Sequence, residues 1–200
     1  YSKIDVLLNN AGGANKTKQI TTEGLEKTFA TNQMNYFVLS TELLEIISES
    51  NDGRIVNVAS NAHIGAEVDY ENINSEKSFS AWTSYCVSKL MNIMFTYQLS
   101  SIQDKVSVNV LHPGFVDTNI AGNEGNFIKY IVKLGAKMFA RTVDSGADSS
   151  IYLSTSDEVQ NVSGKYFFKC KEIKSSRASY NKEDWQKVWD LCNEYKIKLI

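Results

Sequence analysis

The chain has 200 residues, 42% of them hydrophobic, and a formal net charge of −2. That size and apolar content describe one globular domain over 1–200 with a core to bury, and the balanced charge argues against a nucleic-acid partner. The longest apolar stretches, 4–8 and 127–139, fall short of the ~18 residues that span a bilayer. Cys86, Cys170 and Cys192 lack metal-type spacing and read as the reduced thiols of a cytoplasmic chain.

Short apolar runs alternate with long amphipathic ones, the pattern of a parallel sheet wrapped by crossover helices, hence an α/β fold. Residues 4–8 form a continuous apolar run before Asn9-Asn10-Ala11-Gly12-Gly13, which predicts a strand buried on both faces. A helix is expected over about 23–50, with Leu25, Phe29, Met34, Phe37, Leu44 and Ile47 on one stripe and Asn51-Asp52-Gly53 ending it. Residues 54–59 give the second strand, and the polar stretch 61–80 is too long for a simple connection. The next helix covers 82 to about 101. A β-branched run, 106–111, is the third strand, stopped at His112-Pro113-Gly114.

Beyond Thr118 the pattern loosens into a lobe, 119–140, rich in Phe, Ile, Met and Tyr, which suits an apolar substrate. Within it Lys129, Lys133 and Lys137 share a helix face opposite Phe127, Ile131 and Leu134. A solvated face is one reading, and peripheral contact of 127–139 with a membrane is the other. Thr142 caps a helix running to about Ser154, 164–168 forms a last short strand, and Asn181 opens a terminal helix carrying Trp185, Val188 and Trp189.

Tyr85 and Lys89 stand four residues apart, so on a helix they share a face and the ammonium can favour an ionised phenol. Ten tyrosines would produce such a spacing about once by chance, so the surroundings must carry the assignment. In an open α/β sheet, ligands bind at the carboxyl ends of the strands. Those ends carry Asn10, Ala11 and Gly12, then Ser60, then Pro113 and Gly114 through Thr118, while Asn32 is an amide among apolar helical neighbours. Each residue alone has a plain structural reading as a strand end, turn, loop hydroxyl or surface amide. Together they outline one crevice. His63 reads as a loop histidine without a role, Cys86 as packing, and His63 with His112 makes no metal constellation.

In these motifs the chain resembles the short-chain dehydrogenase/reductase family: Asn-Asn-Ala-Gly at Asn9 to Gly12, the helical asparagine at Asn32, the strand-end serine at Ser60, Tyr-x-x-x-Lys at Tyr85 and Lys89, and Pro-Gly with a later threonine at Pro113, Gly114 and Thr118. It is further similar to the retinol-dehydrogenase-like branch, through Arg54-Ile-Val-Asn-Val, Ala62-His63, the stretch from Tyr85 to Asn92, 164–172, and Ser175-Ser176 followed by Ala178-Ser179-Tyr180. Two positions depart from the pattern. Ala59 replaces the first of two serines, and Asn35 stands where the branch often has glycine.

The resemblance implies a Rossmann-like, doubly wound parallel sheet and a hydride exchanged between a nicotinamide cofactor, NADP with NAD as the alternative, and a carbonyl carbon. Tyr85 would move the proton, Lys89 lower its pKa and bind the ribose, Ser60 hold the substrate oxygen, and Asn32 bind a water through its backbone. Asn10, Ala11, Gly12, Tyr85, Lys89, Pro113, Gly114, Val116 and Thr118 would contact the cofactor. The expected partners are a small apolar alcohol or carbonyl of retinoid, steroid or lipid kind, and a second copy of the chain.

The family's glycine-rich nucleotide loop is not found in these residues. By the resemblance, about 80–100 residues with three strands and that loop would precede residue 1, making this the C-terminal catalytic portion. Alone it is expected to aggregate and bind no dinucleotide, because the first strand would be a bare apolar edge. A regulatory fragment that keeps the dehydrogenase shape is the alternative to an enzyme.

Overall fold

The computed structural model describes residues 2–114 and 143–199. A five-stranded sheet runs in the order β1 (Val6–Asn9), β2 (Arg54–Val58), β3 (Ser107–Leu111), β4 (Tyr166–Phe168) and β5 (Lys171–Ile173). The first four strands are mutually parallel, and β5 pairs with β4 antiparallel. Every residue of β2 is buried, as befits a central strand, including the polar Arg54 and Asn57, both of which are hydrogen-bonded. β1 is different. It lies at the sheet edge with Leu8 43% exposed, so the expectation of a strand buried on both faces does not hold among the described residues.

Helices cover both faces of the sheet. On one, Ile55 and Val108 meet Leu90, Met94 and Phe95 of α4 (Ala81–Ile102) and Val188 of α6 (Lys182–Leu199). On the other, Val56, Val58, Leu111 and Phe167 meet Leu153 of α5 (Val143–Thr155). The buried Arg54 fastens α5 to β2, its Nη1 donating to the carbonyls of Leu153 and Ser156 at 3.1 and 2.9 Å, which satisfies orphan acceptors at that helix's end.

The single helix expected over 23–50 is divided. α1 (Lys27–Phe29), capped by the Glu26 carboxylate, runs into a π-helical turn (Ala30–Met34), then α2 (Asn35–Glu42) and α3 (Leu44–Ser48). Single π turns inside α-helices accompany functional sites, and this one contains Asn32. The sequence also missed β5 and its hairpin. The turn residues Lys169 and Cys170 take φ of 52° and 59° without the Asn-Gly signature that marks such turns. The stretch 61–80 holds one 3₁₀ turn (Asn61–His63) and is otherwise a loop up to the Ser80 cap of α4. The lobe 119–140, the amphipathic segment 127–139, Val116 and Thr118 lie outside the described residues.

Candidate active site

Parallel pairing brings the segments after β1, β2 and β3 to one edge of the sheet. Asn10, Ala11 and Gly12 are exposed there, and Ser60 and Pro113-Gly114 follow their strands. Gly114 has φ of 83°, a left-handed conformation suited to glycine, and its N–H donates to His112 Nδ1 at 3.2 Å. The His112 ring stacks on Phe168, centroids 4.2 Å apart, and burial pushes its pKa down to about 4, which keeps Nδ1 an acceptor.

The π turn directs Asn32 inward, where it is fully buried. Its Nδ2 donates to Ser88 Oγ at 2.8 Å and to the Gly13 carbonyl at 3.0 Å, and its Oδ1 accepts from the Gly13 N–H at 2.9 Å. One side chain therefore ties the loop after β1 to α4. Gly12 passes so close that a Cβ there would stand 2.9 Å from Asn32 Oδ1 and 3.3 Å from Lys89 Nζ. Glycine at this point lets backbone approach both groups.

Ser80 caps α4, accepting from the Thr83 N–H, and the next turn carries Tyr85, 8% exposed. Burial raises the pKa of its phenol, while a hydrogen bond with the Ser60 hydroxyl acts in the opposite direction. Ser60 and Tyr85 thus meet at their polar tips. Lys89, one turn on, is buried, and its Nζ donates to the Val58 carbonyl at 2.8 Å, 5.4 Å from the Tyr36 ring centroid and 6.0 Å from that of Tyr85. Burial alone pulls its pKa down to about 7.

The electrostatics differ from the sequence expectation. Lys89 is not among the groups that lower the Tyr85 pKa; its ammonium is directed at a strand carbonyl, and desolvation weakens its charge near neutral pH. The Asn32 carbonyl, expected to hold a water, also accepts from Asn92 Nδ2 at 2.8 Å.

Asn92 had no part in the sequence-derived site. It also donates to Gln33 Oε1 at 3.0 Å, and its carbonyl accepts from Thr96 Oγ1 at 2.7 Å. Asn57 Nδ2 donates to the same threonine oxygen at 2.9 Å, and Asn57 Oδ1 accepts from Asn9 Nδ2 at 2.8 Å. This buried polar chain runs behind the site from β1 through β2 to the π turn. Its sequence signal is the recurrence of Ser88, Asn92 and Thr96 at intervals of four in an otherwise apolar helix. Among the described residues no cluster of His, Cys, Asp or Glu is arranged to hold a metal, and no helix is long and apolar enough to cross a membrane.

A mostly parallel, two-sided α/β sheet with a polar crevice at its carboxyl edge defines the Rossmann-type fold class. Residues 1–128 match the family model described as short chain dehydrogenase. The chain belongs to the short-chain dehydrogenase family.

Retinol dehydrogenase 14 of Homo sapiens is 36% identical over 202 residues, covering 99% of this chain and 60% of the relative. Polyprenol dehydrogenase of Homo sapiens is 32% identical, covering 93% and 59%. Similarity to the retinol-dehydrogenase-like branch is therefore shown, and the chain spans about 60% of the length of such curated relatives. Among solved structures, a protein from Mycobacterium paratuberculosis superposes with a TM-score of 0.73 at 24% identity, over 98% of this chain and 68% of that one. A gluconate 5-dehydrogenase from Burkholderia cenocepacia, in complex with NADP and tartrate, has a TM-score of 0.61 at 19% identity, over 83% and 63%. These two share the fold.

Proposed function

We propose that the chain is the catalytic portion, 1–200, of a nicotinamide-dependent oxidoreductase that interconverts an apolar alcohol and its carbonyl. The carrying observation is the buried Lys89: among the described residues it has no carboxylate partner and a single carbonyl acceptor, close beside the exposed Gly12 at the carboxyl edge of the sheet. An ammonium so buried is costly without further acceptors. Ribose hydroxyls are neutral groups that accept hydrogen bonds, so the residues present fit such a cofactor. Asn10, Ala11 and Gly12 would hold it by backbone groups, Lys89 and Tyr85 by side chains, and Pro113, Gly114, Val116 and Thr118 beside the nicotinamide, which supplies or accepts hydride.

Tyr85 transfers the proton at the substrate oxygen. Ser60, whose hydroxyl opposes the burial-driven rise of the Tyr85 pKa, fixes that oxygen beside the phenol. Asn32 keeps the Gly13 loop in register with α4 by its side chain, and its backbone is the proposed anchor for a water between Lys89 and solvent. NADP is the preferred cofactor, in line with the carbonyl reductase from chicken fatty liver, solved with NADPH bound and sharing the fold with a TM-score of 0.58. The relatives named retinol and polyprenol dehydrogenase support a long apolar substrate, so retinaldehyde with NADPH is the assay for the full-length chain. Loss of that reduction in Tyr85→Phe tests the reading.

Two corollaries accompany it. The β1 edge with its exposed Leu8 makes the 200-residue chain alone an aggregating species, so a monodisperse preparation with micromolar NADPH affinity would contradict it. The sequence pattern of 127–139 carries, beside the solvated-face reading, the proposal of a peripheral membrane contact, with a second copy of the chain as the protein partner. Lys129, Lys133 and Lys137 changed together to glutamate should then stop the full-length chain floating with anionic liposomes. Flotation unaffected by that change would leave the solvated-face reading.

A further inference from the structure

His63 lies in the 3₁₀ turn immediately after Ser60 and is 1% exposed. Its Nε2 accepts from the Ser176 backbone N–H at 3.0 Å, and its Nδ1 lies 2.7 Å from the Ser60 carbonyl. A backbone N–H only donates and a carbonyl only accepts, so these partners select the neutral tautomer with the proton on Nδ1. The ring packs edge-on against Tyr166, centroids 5.3 Å apart. Every polar atom of the imidazole is therefore committed to backbone, one end on the serine proposed to hold substrate and the other 113 residues away in sequence.

The distant end is firmly held. Ser175 Oγ is 2.8 Å from Tyr97 OH on α4 and 2.6 Å from Ser179 Oγ, and the Ser175 N–H donates to Tyr180 OH at 3.1 Å. Ser179 Oγ donates to the Ser176 carbonyl at 2.6 Å, and Trp185 Nε1 of α6 donates to the Ser179 carbonyl at 2.6 Å. Residues 175–180 thus form a strap locked to two helices. The segment after β2, by contrast, leaves the sheet beyond Ala59 and has the Ser60 side chain accepting only one local bond, from the Ala62 N–H at 3.2 Å, besides its contact with Tyr85.

We propose that His63 is a positioning residue: a strut between the 175–180 strap and the Ser60 backbone that sets where the Ser60 hydroxyl stands relative to Tyr85. The inference rests on the reading of Ser60 given above. His63 touches neither substrate nor cofactor and acts only through the serine.

Ser176 has φ of −65° and ψ of 154°, a conformation proline adopts, so Ser176→Pro deletes the N–H that His63 accepts and places the ring Cδ where that hydrogen stood, which pushes the imidazole away from the strap. In the full-length chain this variant should lower kcat for retinaldehyde reduction about 10- to 100-fold, the scale on which small misplacements act, with the NADPH dissociation constant unchanged. His63→Ala should cost at least as much, and combining the two should cost no more than His63→Ala alone. His63→Asn, which keeps a donor for the Ser60 carbonyl, should fall between wild type and His63→Ala. In ¹⁵N spectra the His63 Nε2 resonance should shift in Ser176→Pro as its donor disappears.

A folded Ser176→Pro with wild-type kcat, or losses that multiply in the double variant, overturns the strut. If Ser176→Pro does not fold, His63→Asn decides alone: kcat no better than that of His63→Ala overturns it. Ser60→Ala is measured beside them. Wild-type kcat in Ser60→Ala overturns the role of Ser60 and the strut with it, whereas a slow Ser60→Ala beside a normal Ser176→Pro overturns only the strut.

Discussion

Tyr85→Phe in the full-length chain is expected to lower kcat for retinaldehyde reduction by about 10²–10⁴-fold, the usual contribution of a positioned proton donor. The substitution removes one oxygen and leaves the ring, which packs 6.1 Å from Trp82, in place, so folding and NADPH affinity should change little. The pH dependence separates proton transfer from a packing defect. Burial raises the phenol's pKa, so Tyr85 stays protonated through neutral pH, and reduction by the wild type should be flat there. Oxidation needs the phenolate, whose population grows as pH approaches that raised value, so kcat for alcohol oxidation should climb into the alkaline range. The phenylalanine variant should lack the climb. A variant retaining more than about a tenth of wild-type kcat, against the expected range, would take the proton-transfer role from Tyr85, whereas a wild type that reduces no carbonyl would favour the regulatory-fragment alternative.

The sequence located the parts of this site well where burial dictates residue type. Strands β2 and β3 and helix α4 were expected within about a residue of their observed bounds, because each is an apolar element at the centre of the fold whose pattern has one solution. The edge strand was displaced by two residues at its start, since one side of it carries no packing to fix the register.

What stayed hidden depends on contacts between distant residues. The π turn at Asn32 coincides with bonds to Ser88 and Asn92, 56 and 60 residues away, and an apolar stripe reads the same through a π turn as through an α-helix. His63 looked like an ordinary loop residue because its second partner is a backbone N–H, which has no sequence signature. The direction of Lys89 was equally invisible. Spacing on the helix correctly predicts the shared face with Tyr85, but the Val58 carbonyl determines where the ammonium points.

That direction gives the second large effect. In the full-length chain without nucleotide, Lys89→Met should be more stable than wild type at pH 6 and catalytically dead. The Lys89 pKa falls from 10.5 to about 7 on folding, caused by burial alone, a difference worth about 5 kcal/mol against the charged form. Because the folded value is the lower one, the unfolded chain binds more protons between pH 7 and 10.5, so wild-type stability rises with pH across that window and the penalty is complete below pH 7. Methionine matches the lysine stem in shape but leaves the Val58 carbonyl without its 2.8 Å donor, at a cost of about 1–3 kcal/mol. The net gain at pH 6 is therefore about 2–4 kcal/mol by denaturant unfolding, and it should vanish by about pH 10, where wild-type Lys89 is neutral in the folded state. A methionine variant no more stable than wild type at pH 6 would show that the site solvates the ammonium and that Lys89 is not held at a loss. Saturating NADPH should raise wild-type stability more than that of the variant, since only lysine can spend its remaining N–H groups on the ribose. Stability forfeited in the free protein and recovered on nucleotide binding is the behaviour of a group kept for its ligand.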